Sequence, residues 1–239
     1  MGTRLGKSAP TKKHTYGLRS ASILAALGNA ILLLVSMGAV AWEAILRLNN
    51  PPHVEGRIVI WLAALGILVN SVTAWLFFSG RKDDLNIRSA FLHLAADAGI
   101  SLGVVLAGVA ILWTGKLWID PVTSLVIVAI IVYGTWGVLK ESFNLALHAV
   151  PAHIDRDAVA AFLQSRQGVT KVHDLHIWGM STTHVALTAH LVIPSAKIDD
   201  TFLADTAEEL EHHFGIEHVT IQIESGDGPA CHLAPDERV

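Results

Sequence analysis

Apolar residues run almost unbroken through four stretches of the chain: residues 20–46 (SASILAALGNAILLLVSMGAVAWEAIL), 57–79, 88–114 and 118–139. Each reaches the ~20 residues a helix needs to cross ~30 Å of hydrocarbon. The connectors LNNPPHVEG, SGRKDDLN and TGK are short and carry turn residues, which leaves room only for helical hairpins. Four such stretches in succession predict a multi-span α-helical membrane domain with four transmembrane helices, over residues 20–147. They count against the buried core helices of a large soluble protein.

After Leu139 the pattern changes, with Lys140 marking the inner edge of the last span. DRDAVAAFLQSR (155–166) has helical spacing, with Asp155 at its start where a carboxylate favours the helix dipole. VHDLHIWGM (172–180) and HVALTAHLVI (184–193) are rich in branched and aromatic residues and are joined by STT, which predicts a hairpin. DDTFLADTAEELEHHF (199–214) reads as an amphipathic helix and HVTIQIE (218–224) as an alternating strand. The order α-β-β-α-β predicts a small α+β, ferredoxin-like cytosolic domain over residues 148–225, with helices on one face of the sheet. A basic cytosolic segment (1–19) precedes the spans, and a tail (226–239) holding Cys231 and His232 follows the domain. The small domain has a correspondingly small core, so association with a second copy would help stabilise it.

Composition sharpens this. The mean hydropathy is +0.48, and only 16% of the 239 residues are charged, against about 25% in soluble chains. The formal net charge of −4 gives no reason to expect nucleic acid as a partner. The single cysteine, Cys231, excludes an internal disulfide framework and fits a cytosolic location for that end. No apolar segment followed by a cleavage site opens the chain, so no signal peptide is read. Basic residues set the orientation: Arg4, Lys7, Lys12, Lys13, Arg19, Arg81, Lys82 and Arg88 against Arg47, Arg57 and Lys116, eight to three, put both termini in the cytosol of a cell (inner) membrane. Trp42, Trp61, Trp113 and Trp118 then fall at the outer interface and Trp75 and Trp136 toward the inner one. No G-x-S-x-G, P-loop or H-E-x-x-H is present, so an enzyme is not expected.

Within the third span, HLAAD (93–97) places His93 and Asp97 at i and i+4, on one helix face. Counted from Arg88 at ~1.5 Å per residue, His93 lies ~8 Å deep and Asp97 ~14 Å, near the midplane. Ionisable groups at that depth are costly and point to function. Imidazole plus carboxylate is half a shell for a borderline divalent cation such as zinc. A structural His–Asp hydrogen bond between packed helices fits the same spacing. Glu43 and Asp120 read as interfacial or capping groups, and Asn29, Asn70 and Ser101 as interhelical hydrogen-bonding groups. Ala95, Gly99 and Gly103 form a small-residue step that would let a neighbouring helix approach.

Ten of the thirteen histidines fall at or after position 148. In 218–224, Val219, Ile221 and Ile223 share one face, leaving His218, Gln222 and Glu224 on the other. His184 and His190 likewise oppose Val185, Leu187 and Leu191. Imidazoles and a carboxylate thus gather on the face away from the core, and GDGPACHL could fold Cys231 and His232 back toward them. An exposed polar sheet face with incidental histidines fits the same pattern. His148, His153, His212 and His213 read as surface residues and His53 as a loop residue.

Several stretches together resemble the cation diffusion facilitator family of dimeric metal exporters: HTYGLRSASILAALGNA (14–30), WEAILRL (42–48), HLAAD and DAGISLG (93–103), IDPVTSLVI (119–127), VHDLHIW (172–178), HVTIQIE (218–224) and CHL (231–233). The resemblance implies that His93 and Asp97 supply half of a transport site. It favours His173, His190 and Glu224 as one cytosolic metal group and His218, Cys231 and His232 as candidates for another. Strand parity argues otherwise for His173, which alternates with Leu175 and Ile177 toward the core while His176 takes the open face. A bulge, or a strand beginning after His173, reconciles the two, and both residues remain candidates. Six-helix members carry a second [HD]xxxD pair on an earlier helix; this chain opens at the loop that follows it, so the first two helices are expected to be lacking. His14 matches a metal-binding position of some members, but Leu18 stands where a neighbouring histidine would be.

The expected function is efflux of a divalent cation, zinc first with cobalt, cadmium or iron as alternatives, by a homodimer in the lipid bilayer. Protons would compete for the same ligands and drive exchange. No organic cofactor is expected. Because two ligands are too few for a tetrahedral cage, a truncated, metal-sensing or regulatory membrane subunit that does not transport alone is the alternative.

Overall fold

The computed structural model describes residues 9–49, 56–78, 80–82, 84–194, 200–226 and 231–233. Arg4, Lys7, His53, Asp199 and residues 227–230 of the GDGPACHL stretch lie outside the described residues. The chain divides into two compact units, Met1–Ser142 and Phe143–Val239.

The first unit contains α1 (Ala21–Asn49), α2 (Gly56–Phe77), α3 (Leu85–Thr114) and most of α4 (Ile119–Ala146), with a 3-10 turn at Gly80–Lys82. Among the described residues, α1, α3 and α4 are long and apolar enough to cross a membrane, and α2 contributes a shorter apolar run, Ala63–Phe77. Helices suit these sequences because each backbone group finds its partner inside the segment, as hydrocarbon requires. Asp84 starts α3 by accepting the Asn86 amide at 2.7 Å. Gly115 ends it at φ 69, its N–H donating to the Ile111 carbonyl at 2.7 Å. Helix α4 continues past the expected edge at Leu139 to Ala146. Lys140, Glu141, Leu145 and Ala146 are good helix formers and no breaker intervenes, so the apolar run ends there but the helix does not.

Leu33 and Met37 of α1, Ala96 of α3 and Val128 of α4 meet in a buried cluster. The Asn29 side-chain amide donates to Ser89, tying α1 to α3. A Cβ on Gly103 would stand 2.1 Å from Ile127 Cδ1, so α3 and α4 approach closely there. Gly99 meets nothing within 4 Å. The expected close approach therefore occurs at Gly103 and not at Gly99. Trp42, Trp61, Trp75, Trp113, Trp118 and Trp136 are all exposed on the outside of this unit.

The second unit is a three-stranded sheet, β1 (Lys171–Gly179), β2 (Val185–Val192) and β3 (His218–Glu224), with α5 (Arg156–Ser165) and α6 (Asp200–Phe214). Strand order is β1-β2-β3, with β1 and β2 antiparallel and β2 and β3 parallel. Asp155 caps α5, its carboxylate accepting the Asp157 and Ala158 amides at 2.9 and 3.2 Å. Val159 and Leu163 of α5, Leu210 of α6 and Leu187 and Leu191 of β2 pack with Leu175, Ile177 and Ile216 in the core. Arg166 joins the helices by an ion pair to Glu209 at 2.9 Å. With its apolar side filled by helices, the sheet leaves its other side for polar groups.

Candidate metal centres

On α3, His93 Nε2 and Asp97 Oδ2 stand 3.7 Å apart, beyond hydrogen-bond reach. The two side chains share a face and are close enough to contact one ion without being locked together. His93 Nδ1 is buried and has no hydrogen-bond partner among the described residues. Such an atom is costly unless something satisfies it. Elsewhere in this unit, Glu43 and Asp120 share a partner. Arg47 pairs with both, lying 3.3 Å from Asp120 and in contact with Glu43, so one cation ties α1 to α4.

The sheet face carries a denser group. In β1, His173 pairs with His190 and His176 with Thr188, so three residues of β1 span two of β2. Such a bulge leaves one residue out of the ladder. Asp174 takes a left-handed φ of 50 within it, a conformation Asp tolerates better than most residues. The extra residue shifts the side-chain alternation by one. His173 and His176 both come to the face opposite Leu175 and Ile177, which resolves the parity conflict in the sequence. His190, two residues before the end of β2, and Glu224, the last residue of β3, share that face because their positions in the parallel register differ by two.

His173 Nε2 lies 3.2 Å from Glu224 Oε2, and His190 Nδ1 lies 3.0 Å from Glu224 Oε1 and 3.6 Å from Cys231 Sγ. One donor atom from each of His173, His190, Glu224 and Cys231 falls within 4.8 Å of all the others. His173 and His190 are buried, and His173 Nδ1 has no partner among the described residues. Burial opposes ionisation of Glu224, but hydrogen bonds from Cys231 and His173, the charge of His173 and a hydrogen bond from Gln222 outweigh it. Its carboxyl is held below the ordinary value. Two imidazoles, a carboxylate and a thiol are a suitable donor set for zinc, whose tetrahedral bonds of ~2.0–2.3 Å put neighbouring ligand atoms ~3.3–3.7 Å apart. The 3.0 and 3.2 Å separations from Glu224 need to open by only tenths of an ångström to meet that edge.

The other candidates fall outside this group. His176 is half-exposed and hydrogen-bonds Asp174 Oδ1 at 3.0 Å. His218 opens β3 opposite Ala186 and is exposed, as is His232. Cys231, grouped in the sequence with His218 and His232, instead joins His173, His190 and Glu224. Gly226 turns the chain at φ 79 just beyond β3, and Cys231 returns over the sheet. His184 belongs to the β1–β2 turn, within 3.0 Å of Ser181 Oγ and Thr183 Oγ1. Asp174 was not singled out from the sequence; the broken parity between His173 and His176 pointed to an extra residue there without deciding between Asp174 and Leu175.

Apolar helices preceding a small sheet domain with metal-competent side chains define a multi-pass integral membrane protein. Comparison with known proteins narrows the class. Residues 1–145 match the cation efflux transmembrane domain and residues 151–226 the cytoplasmic domain of cation efflux proteins. The chain belongs to the cation efflux, or cation diffusion facilitator, family. It is 34% identical over 227 residues to the cadmium, cobalt and zinc/H(+)-K(+) antiporter of Bacillus subtilis, covering 92% of this chain and 72% of the relative. It is 33% identical over 237 residues to the zinc transporter ZitB of Escherichia coli, covering 98% and 75%. With the metal cation efflux system protein CzcD of Cupriavidus metallidurans the identity is 34% over 221 residues, covering 92% and 70%. The solved metal-bound C-terminal domain of the CzcD transporter from Cuprividus metallidurans shares 35% identity, covering 30% of this chain and 99% of that one with a TM-score of 0.28. The family and these relatives are transporters, not enzymes.

Proposed function

We propose that this chain exports a divalent cation, zinc first, from the cytosol in exchange for protons, as a homodimer with both termini on the cytosolic side of the cell membrane. His93 and Asp97 bind the cargo on α3. His173, His190, Glu224 and Cys231 bind the same kind of ion as a regulator. The observation that carries the transport assignment is the His93–Asp97 pair at 3.7 Å, with His93 Nδ1 buried and without a partner among the described residues. Family membership supplies the direction of transport, and the relatives' names supply the metals.

Chemically, an imidazole must be neutral and a carboxylate ionised to hold the cation. A proton arriving from outside takes the same lone pair and so displaces it. Water and groups beyond these two complete the ion's shell. In the tail, a bound ion favours whichever arrangement of the dimer binds it more tightly. The test is metal uptake into inside-out vesicles. His93→Ala and Asp97→Ala should each reduce it to the level of empty vesicles, and unchanged uptake would remove both residues from the assignment.

One observation favours a second reading. Among the described residues, the grouping of three or more potential metal ligands lies in the tail and not in the helical unit. A metal-sensing membrane subunit that does not transport alone would have this balance. Flux by the purified chain in liposomes, with no other transporter present, eliminates that reading; zinc binding without flux favours it.

A further inference from the structure

We propose that Asp174 is a positioning residue of the tail metal centre: it orients His190 so that Nδ1 points at the metal position and Nε2 carries the ring proton. The inference rests on the tail centre proposed above and assigns its second layer.

Three observations converge on Asp174. His190 uses its two ring nitrogens in opposite directions. Nδ1 faces Glu224 Oε1 at 3.0 Å and Cys231 Sγ at 3.6 Å, while Nε2 faces Asp174 Oδ2 at 3.4 Å. Asp174 reaches that position because it is the bulge residue, at φ 50, between the two segments of β1 that pair with β2. It is also mostly buried, with 12% of its side chain exposed, beside a His190 side chain that is 10% exposed. A carboxylate there has few water partners, so its acceptor oxygens are directed at protein donors: Oδ2 at His190 and Oδ1 at His176 Nε2, 3.0 Å away.

A neutral imidazole offers one lone pair and one N–H. Metal-ligating histidines commonly give the second nitrogen's proton to a carboxylate, which fixes ring orientation and raises basicity at the first. Without such a partner, a ring flip or the other tautomer would turn an N–H toward Glu224 and the metal. Asp174 opposes both. His176, which meets the other carboxylate oxygen, steadies Asp174 and is not itself a ligand.

The test uses the full chain in detergent micelles with His93→Ala and Asp97→Ala already in place, so that competition titration with a zinc chelator reads the tail. Asp174→Gly keeps the left-handed backbone, which glycine adopts freely, and removes the carboxylate. Zinc affinity should fall about 10- to 100-fold, with β1 and β2 still protected from hydrogen exchange in the metal-free chain. Asp174→Asn retains an acceptor oxygen and a side chain that accepts this φ, and should recover part of the loss. In nitrogen-15 spectra of histidine-labelled, zinc-loaded protein, the His190 Nε2–H should exchange slowly with water in the parent and faster in Asp174→Gly. His176→Gln should leave affinity within a few-fold.

Parental affinity in both Asp174 variants, or equally slow exchange of the His190 Nε2–H in Asp174→Gly, would overturn the proposal. So would a loss in His176→Gln as large as in Asp174→Gly, since His176 would then be the ligand that Asp174 serves. Glu224→Ala, measured alongside, separates the two levels. If it abolishes binding while Asp174→Gly binds zinc as tightly as the parent, only the positioning role fails. If neither changes binding, the tail centre itself is wrong.

Discussion

Glu224→Ala tests whether one carboxylate holds the tail group together. His173 is 4% exposed; its Nε2 meets Glu224 Oε2 at 3.2 Å and its Nδ1 has no partner among the described residues. Truncating Glu224 therefore leaves both ring nitrogens of a buried imidazole without a protein partner. An unsatisfied buried group costs about 1–3 kcal/mol. At about 1.4 kcal/mol per factor of ten, amides of β1 and β2 should exchange ~5- to 150-fold faster in the metal-free variant. Zinc at 100 times its Kd should stabilise the parent by about 2.7 kcal/mol, slowing the same amides ~100-fold, and the variant should lose this protection. Hydrogen-exchange mass spectrometry of the full chain in micelles, followed over residues 171–179 and 185–192, reads both effects. Metal-free rates equal to the parent's, together with the same slowing by zinc, would refute the reasoning.

Acidification gives a signed test. The Glu224 carboxyl is held below its ordinary value, so its stabilising contribution is complete above that value and is lost as pH falls through the lowered one. Metal-free β-strand protection should weaken through this carboxylate only below the ordinary carboxylate range. Gly103→Ala places a Cβ 2.1 Å from Ile127 Cδ1, with the next atoms at 3.4 and 3.5 Å. Only a flexible tip must move, at about 0.5–1.5 kcal/mol. Ile127→Val removes that tip and should restore the midpoint of unfolding in mixed micelles. Asp155→Ala removes the acceptor of two α5 amides and should cost about 1 kcal/mol, seen as faster exchange over residues 156–165.

The elements of the chain were readable because each has a single dominant cause. Runs of apolar residues long enough for a bilayer gave the helices α1 to α4, and strict alternation gave β3, His218–Glu224, with the bounds expected. Helix α4 runs seven residues past the last apolar span, from Leu139 to Ala146, because hydropathy marks the membrane edge while helix propensity decides where the coil ends. Site residues were harder. That His173, His190 and Glu224 share a face follows from parity once a bulge is allowed, yet parity alone cannot locate the extra residue. Asp174 is visible only through its left-handed backbone. Cys231 could not be assigned by any local period. Its place beside His190 is a tertiary contact that no alternation encodes. The Arg47–Asp120 ion pair escaped notice because its members are distant in sequence, and pairwise contacts between helices leave no trace in the pattern of one chain.

The two groups of polar side chains differ in a way that suits the different tasks proposed for them. Cargo must leave as readily as it arrives, so its ligands should not be held in a finished cage. His93 and Asp97 satisfy that condition: they stand 3.7 Å apart, each side chain is about two-fifths exposed, and one ring nitrogen is unpartnered. A resident ion demands the reverse, because ligands ordered in advance lose little freedom on binding. The tail group has two buried histidines, a carboxylate bonded to both, and a sulfur 3.6 Å from one ring. On this reading, equilibrium dialysis of the full chain should resolve a tight tail stoichiometry abolished by Glu224→Ala and a weaker one abolished by Asp97→Ala. The order of affinities carries the argument. If the weaker step belongs to the tail and the tighter to α3, preorganisation does not set the division of labour, and the tail ion cannot be resident while the α3 ion moves.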